Sequence, residues 1–144
     1  MFISDVLRIK GRMVATVLPS DSVQAAVQKL AELGIGAVVV QDQWQKLTGI
    51  FGERELVRLL SRDWNNGLNL RVKDAMNHLV VTCQPGDRID AVLGAMTVNK
   101  IRHVPVVDEG RLAGIVSIGD LVKHRLDEKE LEAGVLLEIA RMRA

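Results

Sequence analysis

A serine and an aspartate three positions apart, Ser117 and Asp120, form the pair in this chain with the clearest chemical potential. They lie in the stretch L-A-G-I-V-S-I-G-D-L-V, whose pattern predicts a buried strand, a turn at Ser117 and a helix from Ile118. Backbone N–H groups at such a helix start can bind a phosphate, and a carboxylate beside them can accept hydrogen bonds from a ribose diol. The same spacing fits a capping box, in which the two side chains satisfy the first N–H groups of the helix. The pair alone leaves both interpretations open.

The sequence contains this arrangement twice. Pro19 aligns with Pro85 and Asp42 with Asp108 at an offset of 66 residues, and the match continues to the end of each unit after a one-residue difference in a turn. Each unit reads as strand, helix, strand, strand, helix, and a unit of this size with one apolar sheet face cannot close a core alone. We therefore predict an α+β protein in which two β-α-β-β-α repeats pack face to face about a pseudo-twofold axis, leaving two clefts between them.

The periodicity divides the chain into five segments. Residues 1–13 are predicted to be a lead-in helix, 14–63 the first repeat, 64–78 a linker, 79–128 the second repeat and 129–144 a C-terminal helix. The second repeat is expected to open with a strand over residues 79–83. The C-terminal helix carries an apolar stripe that either its own domain or another chain must cover, namely Leu131, Val135, Ile139 and Met142.

Composition and charge narrow the classes of function. Among the 144 residues no apolar run reaches the roughly 20 needed to span a bilayer, so a cytoplasmic location and no membrane partner are expected. A net charge of +1 and an aromatic content of 3% argue against a nucleic-acid partner. The single cysteine, Cys83, excludes an intrachain disulfide and is expected to be a buried small residue. No metal is expected, since His78 and His124 have no partner at metal-ligand spacing.

Two motifs of the second unit resemble a known family. The sequences N-K-I-R-H-V-P-V-V-D, from Asn99, and G-I-V-S-I-G-D-L-V, from Gly114, are similar to those of a tandem pair of CBS domains, the module named after cystathionine beta-synthase. The similarity extends from Val14 to Asp127 and suggests a stand-alone pair of the bacterial type. It implies clefts that bind adenosine-containing ligands, such as AMP, ADP, ATP, NAD or S-adenosylmethionine, and association of pairs into homodimers.

The resemblance also implies roles for individual residues. Asp120 would bind the ribose hydroxyls and Ser117 the phosphate, while Arg102 with His103 would neutralise the phosphate charge. A carboxylate can accept from two vicinal hydroxyls, and Arg offers a planar fork for phosphate oxygens. Two apolar residues would line the base pocket. The predicted site is therefore Asp120, Ser117, Arg102, His103, Ile115 and Val81.

The first unit departs from this pattern. It has Gly52 and Glu55 where the second has the serine and the aspartate, and Gly36 and Ala37 where the second has the arginine and the histidine. These changes remove the hydroxyl, lengthen the acidic side chain by one methylene and remove the cation that precedes the second strand of the unit. One competent cleft per chain is expected, built chiefly on the second unit.

The resulting functional hypothesis is a non-enzymatic sensor in which an adenine nucleotide regulates a partner protein. The chain has no G-x-x-x-x-G-K-[ST] loop, no G-x-S-x-G elbow and no base paired with Ser117 in the sequence pattern, which disfavours an enzyme. The alternative is a structural dimerisation or protein-interaction domain whose clefts hold no physiological nucleotide.

Overall fold

A computed structural model describes residues 1–142. The first half contains helices α1, α2 and α3 and strands β1, β2 and β3, and the second half contains α5, α6, β4 and β5, with α4 between them. A single 3-10 turn, Gly67–Asn69, precedes α4. The bounds are α1 Ile3–Lys10, β1 Thr16–Val17, α2 Val23–Leu33, β2 Ala37–Gln41, β3 Leu47–Gly52, α3 Glu53–Arg62, α4 Val72–Ala75, α5 Ile89–Asn99, β4 His103–Asp108, β5 Arg111–Ser117 and α6 Ile118–Met142.

The predicted α+β architecture of two repeats is confirmed. In the first half β1 pairs in parallel with β2, which pairs antiparallel with β3. In the second half β4 and β5 form an antiparallel pair. Each half has its own apolar core, so the internal duplication produces two similar packing units instead of one continuous core.

The two short helices that precede the repeats are exchanged between the halves. α1 buries Ile3, Val6 and Leu7 in the core of the second half, and α4 buries Val72 and Ala75 in the core of the first half. Backbone hydrogen bonds repeat the exchange. Ile3 N donates to the Asp87 carbonyl over 2.9 Å, and Val72 N donates to the Asp21 carbonyl over 2.8 Å. Lead-in helix and linker thus join the halves crosswise, and neither half has a complete core without a segment from beyond its own repeat.

The strand expected over residues 79–83 is wrong, because the pairing there is reduced to one parallel bridge between Cys83 and Val106. The cause is Pro105. In the first half Val39, at the equivalent position of β2, donates its N–H to the Ala15 carbonyl over 3.1 Å, whereas a proline has no N–H to donate. The ladder therefore begins only at Cys83, whose N–H donates to the Pro105 carbonyl over 3.0 Å. Cys83 is buried as expected, and burial raises the pKa of its thiol to about 12.

The last helix is longer than the sequence pattern suggested. α6 runs without interruption from Ile118 to Met142, so the segment predicted as a helix from residue 129 is its C-terminal part, and positions 143 and 144 lie outside the described residues. The apolar stripe of this part is exposed to solvent: Leu131, Val135, Ile139 and Met142. No helix within residues 1–142 is long and apolar enough to cross a membrane.

Candidate functional site

Two cavities lie at the junction of the halves and are related by the pseudo-twofold axis. We name them the Asp120 cleft and the Glu55 cleft, after the acid that each contains. The Asp120 cleft has a volume of about 670 Å³ and the Glu55 cleft about 300 Å³. Ligand pockets usually measure roughly 300–1,000 Å³, so the Asp120 cleft has room for a nucleoside and the Glu55 cleft is at the small end.

The Asp120 cleft is formed by the end of β5 and the start of α6 from the second half, and by residues at the starts of β1 and β2 from the first half. Ile115, Ser117 and Asp120 come from the second half and form one wall. The opposite wall is mostly apolar and belongs to the first half: Met13, Val14, Ala15, Leu33 and Ile35. An apolar wall facing a few polar groups is the usual composition of a small-molecule site.

Ser117 and Asp120 form a complete capping box at the start of α6. Asp120 N donates to Ser117 Oγ over 3.0 Å, and Ser117 N donates to Asp120 Oδ2 over 2.9 Å. This exchange satisfies two N–H groups of the first turn and fixes both side chains on the rim of the cleft. The predicted capping box is thus observed, and its two hydrogen bonds hold both side chains in place without using Asp120 Oδ1.

Lys10 supplies a cation to this cleft from the end of α1. Its Nζ lies 2.6 Å from Asp120 Oδ2 and donates to the Ile115 carbonyl over 2.8 Å. Burial raises the pKa of Asp120, but hydrogen bonds from Lys10 and Ser117 outweigh it and hold that pKa below its ordinary value. Asp120 is therefore an anion at neutral pH.

The Glu55 cleft has the opposite character. Gly52 and Glu55 take the places of Ser117 and Asp120, and Arg54 and Arg58 enter from α3. A Cβ on residue 52 would lie 2.4 Å from the Gly36 carbonyl oxygen, so a serine cannot occupy this position without a shift of the backbone. Burial raises the pKa of Glu55, whereas the pKa of Asp120 is lowered.

The structure separates the six predicted site residues into three groups. Ser117, Asp120 and Ile115 line the Asp120 cleft, and His103 lines both clefts. Arg102 lines only the Glu55 cleft, and its part in binding a phosphate stays a prediction. Both clefts share residues from the starts of β2 and β4, namely Gly36, Ala37 and His103. Val81 lines neither cavity.

His103 stands at the boundary of the two clefts. Its ring packs against Gly36, where an added Cβ would lie 3.0 Å from Cε1 of the imidazole. Burial, followed by the nearby charge of Lys10, lowers the pKa of His103 below its ordinary value. The imidazole is therefore neutral at neutral pH in the ligand-free protein and can offer a hydrogen bond there, but not the charge expected from sequence.

Five cations of the two clefts were not predicted from sequence: Lys10, Lys29, Arg54, Arg58 and Lys100. Lys10 and Asp120 are 110 positions apart, and only the crosswise packing of α1 brings them together. Arg54 and Arg58 are four apart on α3, which marks one helix face but not the cavity beneath it. Among residues 1–142, no three side chains of His, Cys, Asp or Glu converge as a metal site.

Comparisons with known proteins agree with this architecture. The CBS domain family matches residues 3–62 and 72–127. A crystal structure of a CBS-domain-containing protein from Agrobacterium tumefaciens is 45% identical, with a TM-score of 0.84, over 86% of this chain and 92% of that one. A mitochondrial CBS domain-containing protein of Arabidopsis thaliana is 31% identical over 91% of this chain and 70% of its own length. A CBS domain pair in complex with 5′-methylthioadenosine and S-adenosyl-L-methionine is 24% identical, with a TM-score of 0.78, over 89% of this chain and 98% of that one.

Proposed function

This chain belongs to the CBS domain family as a tandem pair, and we propose that it is a non-enzymatic module that binds an adenine nucleotide in the Asp120 cleft and thereby regulates a partner protein. Asp120 would bind the ribose, the Ser117 hydroxyl and the Gly119 N–H would bind the first phosphate, and the apolar wall would bind the adenine. AMP, ADP, ATP and NAD all contain the adenosine that such a site requires.

One observation carries this proposal. Among the described residues, both hydrogen bonds to the Asp120 carboxylate end on Oδ2, which leaves Oδ1 to accept from ribose hydroxyls. The capping box and Lys10 fix the carboxylate before any ligand arrives, and preorganisation of this kind reduces the entropic cost of binding. The related CBS pair bound to 5′-methylthioadenosine and S-adenosyl-L-methionine supports adenosine as the recognised part.

The arrangement of Ser117 supports binding instead of catalysis. His103 faces Ser117 across the β4–β5 pair, which is the position from which a base could activate the hydroxyl. Within residues 1–142, however, the hydrogen bond recorded for Ser117 Oγ comes from Asp120 N, and none joins it to the imidazole. A cytoplasmic location is part of the proposal and suits the single buried thiol of Cys83.

Self-association through α6 is the second part of the proposal. The exposed stripe of Leu131, Val135 and Ile139 leaves apolar surface in water, and a second copy of the chain would cover it. The same stripe favours the alternative function, a dimerisation or interaction domain that needs no nucleotide. Nucleotide binding therefore has to be tested directly.

The test is calorimetric titration of AMP into three variants and the wild type. Asp120→Ala removes the ribose acceptor and should weaken binding by about 1.5–3 kcal/mol, which is the range for a hydrogen bond to a charged group. That loss corresponds to at least about a tenfold rise in Kd. Asp120→Asn keeps an acceptor for the Ser117 N–H and should lose affinity without losing the helix cap.

Asp127→Ala is the matched control, because Asp127 is an exposed acid on the same helix that does not line the cleft. It should bind AMP as the wild type does. Equal Kd values for the wild type and both Asp120 variants would remove Asp120 from the site. No binding of AMP, ADP or ATP to folded wild-type protein would favour the dimerisation domain.

A further inference from the structure

The Asp120 and Glu55 clefts meet at three residues. Gly36, Ala37 and His103 line both cavities, so the two clefts adjoin at these residues, with the imidazole between the space in front of Asp120 and the space in front of Arg102. A ligand fixed by its ribose at Asp120 thus lies beside the Glu55 cleft. The part of the ligand that extends toward His103 is therefore affected by the charges on each side of that residue.

The cations of the Asp120 cleft are already used by the protein. Lys10 Nζ is bonded to Asp120 and to the Ile115 carbonyl, and Lys29 Nζ donates to the Thr16 carbonyl over 2.7 Å. A first phosphate at Ser117 can be bound there by the hydroxyl and by the Gly119 N–H, because the N–H groups of Ser117, Ile118 and Asp120 already donate within the protein. Any phosphate beyond it finds in that cleft only the remaining N–H groups of these two ammonium groups, one on Lys10 and two on Lys29.

The cations of the Glu55 cleft are not used in this way. For residues 1–142, no hydrogen bond or ion pair is recorded for the side chains of Arg58, Lys100 or Arg102, and all three are exposed. Arg54 donates one N–H of its fork to the Lys100 carbonyl and keeps the others. These four cations face only two carboxylates, Glu53 and Glu55, and burial raises the pKa of the second.

We propose that the physiological ligand is an adenine nucleotide with a chain of two or more phosphates, held by its adenosine in the Asp120 cleft while the later phosphates cross at His103 to the Arg54, Arg58 and Arg102 side chains of the Glu55 cleft. The inference rests on the proposed function and adds the specificity that function left open. The Glu55 cleft then serves as the phosphate half of a single site, which is consistent with its small volume and with the absence of a Ser-Asp pair in the first repeat. Arg side chains suit this role because charge-assisted hydrogen bonds to phosphate are roughly twice as strong as neutral ones.

The experiment compares Kd values for AMP and ATP by calorimetry at one ionic strength in buffer without divalent cations. Wild-type protein should bind ATP at least about tenfold more tightly than AMP, which corresponds to about 1.4 kcal/mol. Arg58→Ala and Arg102→Ala should reduce that ratio severalfold, because each should weaken the binding of ATP more than the binding of AMP. Arg62→Ala is the matched control, since Arg62 is an exposed cation one turn farther along α3 and does not line the cleft, and it should keep the wild-type ratio.

Three outcomes would overturn the inference. The first is equal Kd values for AMP and ATP in the wild type, which would leave the proposed function intact while showing that the phosphate chain makes no use of the Glu55 cleft. The second is a loss of AMP and ATP affinity by the same factor in Arg58→Ala and Arg102→Ala, because the arginines would then act on the fold or on the adenosine. The third is an absence of binding by both nucleotides to folded wild-type protein, which would overturn the proposed function as well.

Discussion

At the scale of single residues, Asp120 shows how one carboxylate can serve both the fold and a ligand. Its Oδ2 accepts from Ser117 N and from Lys10 Nζ, at 2.9 and 2.6 Å, and these contacts fix the start of α6. The other oxygen is left for recognition. Capping and binding were alternatives in the sequence pattern, but the geometry makes them compatible because they use different oxygens of the same group.

His103 is the residue for which the structure predicts a pH effect. Its pKa is lowered in the folded protein, first by burial and then by Lys10, whereas the unfolded chain should protonate near the ordinary value of 6.5. Above that value both states are neutral and the residue contributes nothing. As the pH falls through 6.5, the unfolded state takes up the proton first, so the free energy of unfolding should fall until the pH passes the lower pKa of the folded state.

Denaturant unfolding between pH 8 and pH 5 checks this effect. The His103→Gln variant should lose less stability over that range than the wild type, while His78→Gln, a change at an exposed histidine, should follow the wild-type curve. Parallel curves for His103→Gln and the wild type would show that the imidazole titrates alike in the folded and unfolded states.

The sequence was a good guide to residues close together in the chain and a poor one to residues joined across the axis. Ser117, Asp120 and Ile115 are within five positions of one another and line one cleft as predicted. Arg102 lines the Glu55 cleft, which the sequence could not indicate, because the repeat pattern places this residue at the start of a strand but does not show which cavity that point faces. Lys10 had no local signal, since its contact with Asp120 depends on where α1 packs.

At the scale of elements, the exchange of α1 and α4 is the feature that the repeat pattern did not reveal. The sequence predicted a lead-in helix over residues 1–13 and a linker over 64–78, where the structure has α1 and α4. Their destinations depend on hydrogen bonds such as Ser4 N to the Pro85 carbonyl and Lys73 N to the Pro19 carbonyl, at 2.9 and 3.0 Å. These contacts are made by backbone groups, which carry no side-chain signature.

The strand that did not form over residues 79–83 has a sequence-level cause that can be recognised in retrospect. The apolar run preceding Gln84 resembles that of the first repeat, but pairing is decided by the neighbouring strand, which has Pro105 where the first repeat has Val39. An alternating or apolar sequence pattern predicts a single strand and carries no information about the strand with which it must pair. The missing N–H becomes visible only when the two strands are placed side by side.

The exposed part of α6 gives a prediction about assembly. A chain ending after Glu130 keeps the buried residues of α6, Leu121 and His124, and the His124–Glu128 pair, and removes the part of the helix that carries the exposed stripe. If a second copy covers the stripe, sedimentation velocity over a concentration series should show a dimer for the full chain and a monomer for the truncated chain. The control is Glu138→Gln in the full chain, a change of a polar residue, and it should leave the dimer unaffected. The same mass for the truncated and full chains would show that the dimer contact lies elsewhere.

At the scale of the whole molecule, the duplication builds two clefts of the same origin and different chemistry. The Asp120 cleft has a capping hydroxyl, a fixed carboxylate and an apolar wall, whereas the Glu55 cleft has a glycine, a half-buried acid and several uncommitted cations. The difference arises from a few positions in otherwise matching repeats. It predicts one adenosine per chain, even though the backbone geometry is common to both halves.

Isoleucine methyl groups report on the two clefts separately, because Ile115 and Ile35 line the Asp120 cleft and Ile50 lines the Glu55 cleft. The most direct test of the account is a titration of isoleucine-methyl-labelled protein with AMP, followed by NMR. The Ile115 and Ile35 signals should shift to saturation at one AMP per chain, while the Ile50 signal stays in place. Equal shifts of Ile115 and Ile50 with two AMP molecules bound, or a shift confined to Ile50, would contradict the assignment of adenosine to the Asp120 cleft.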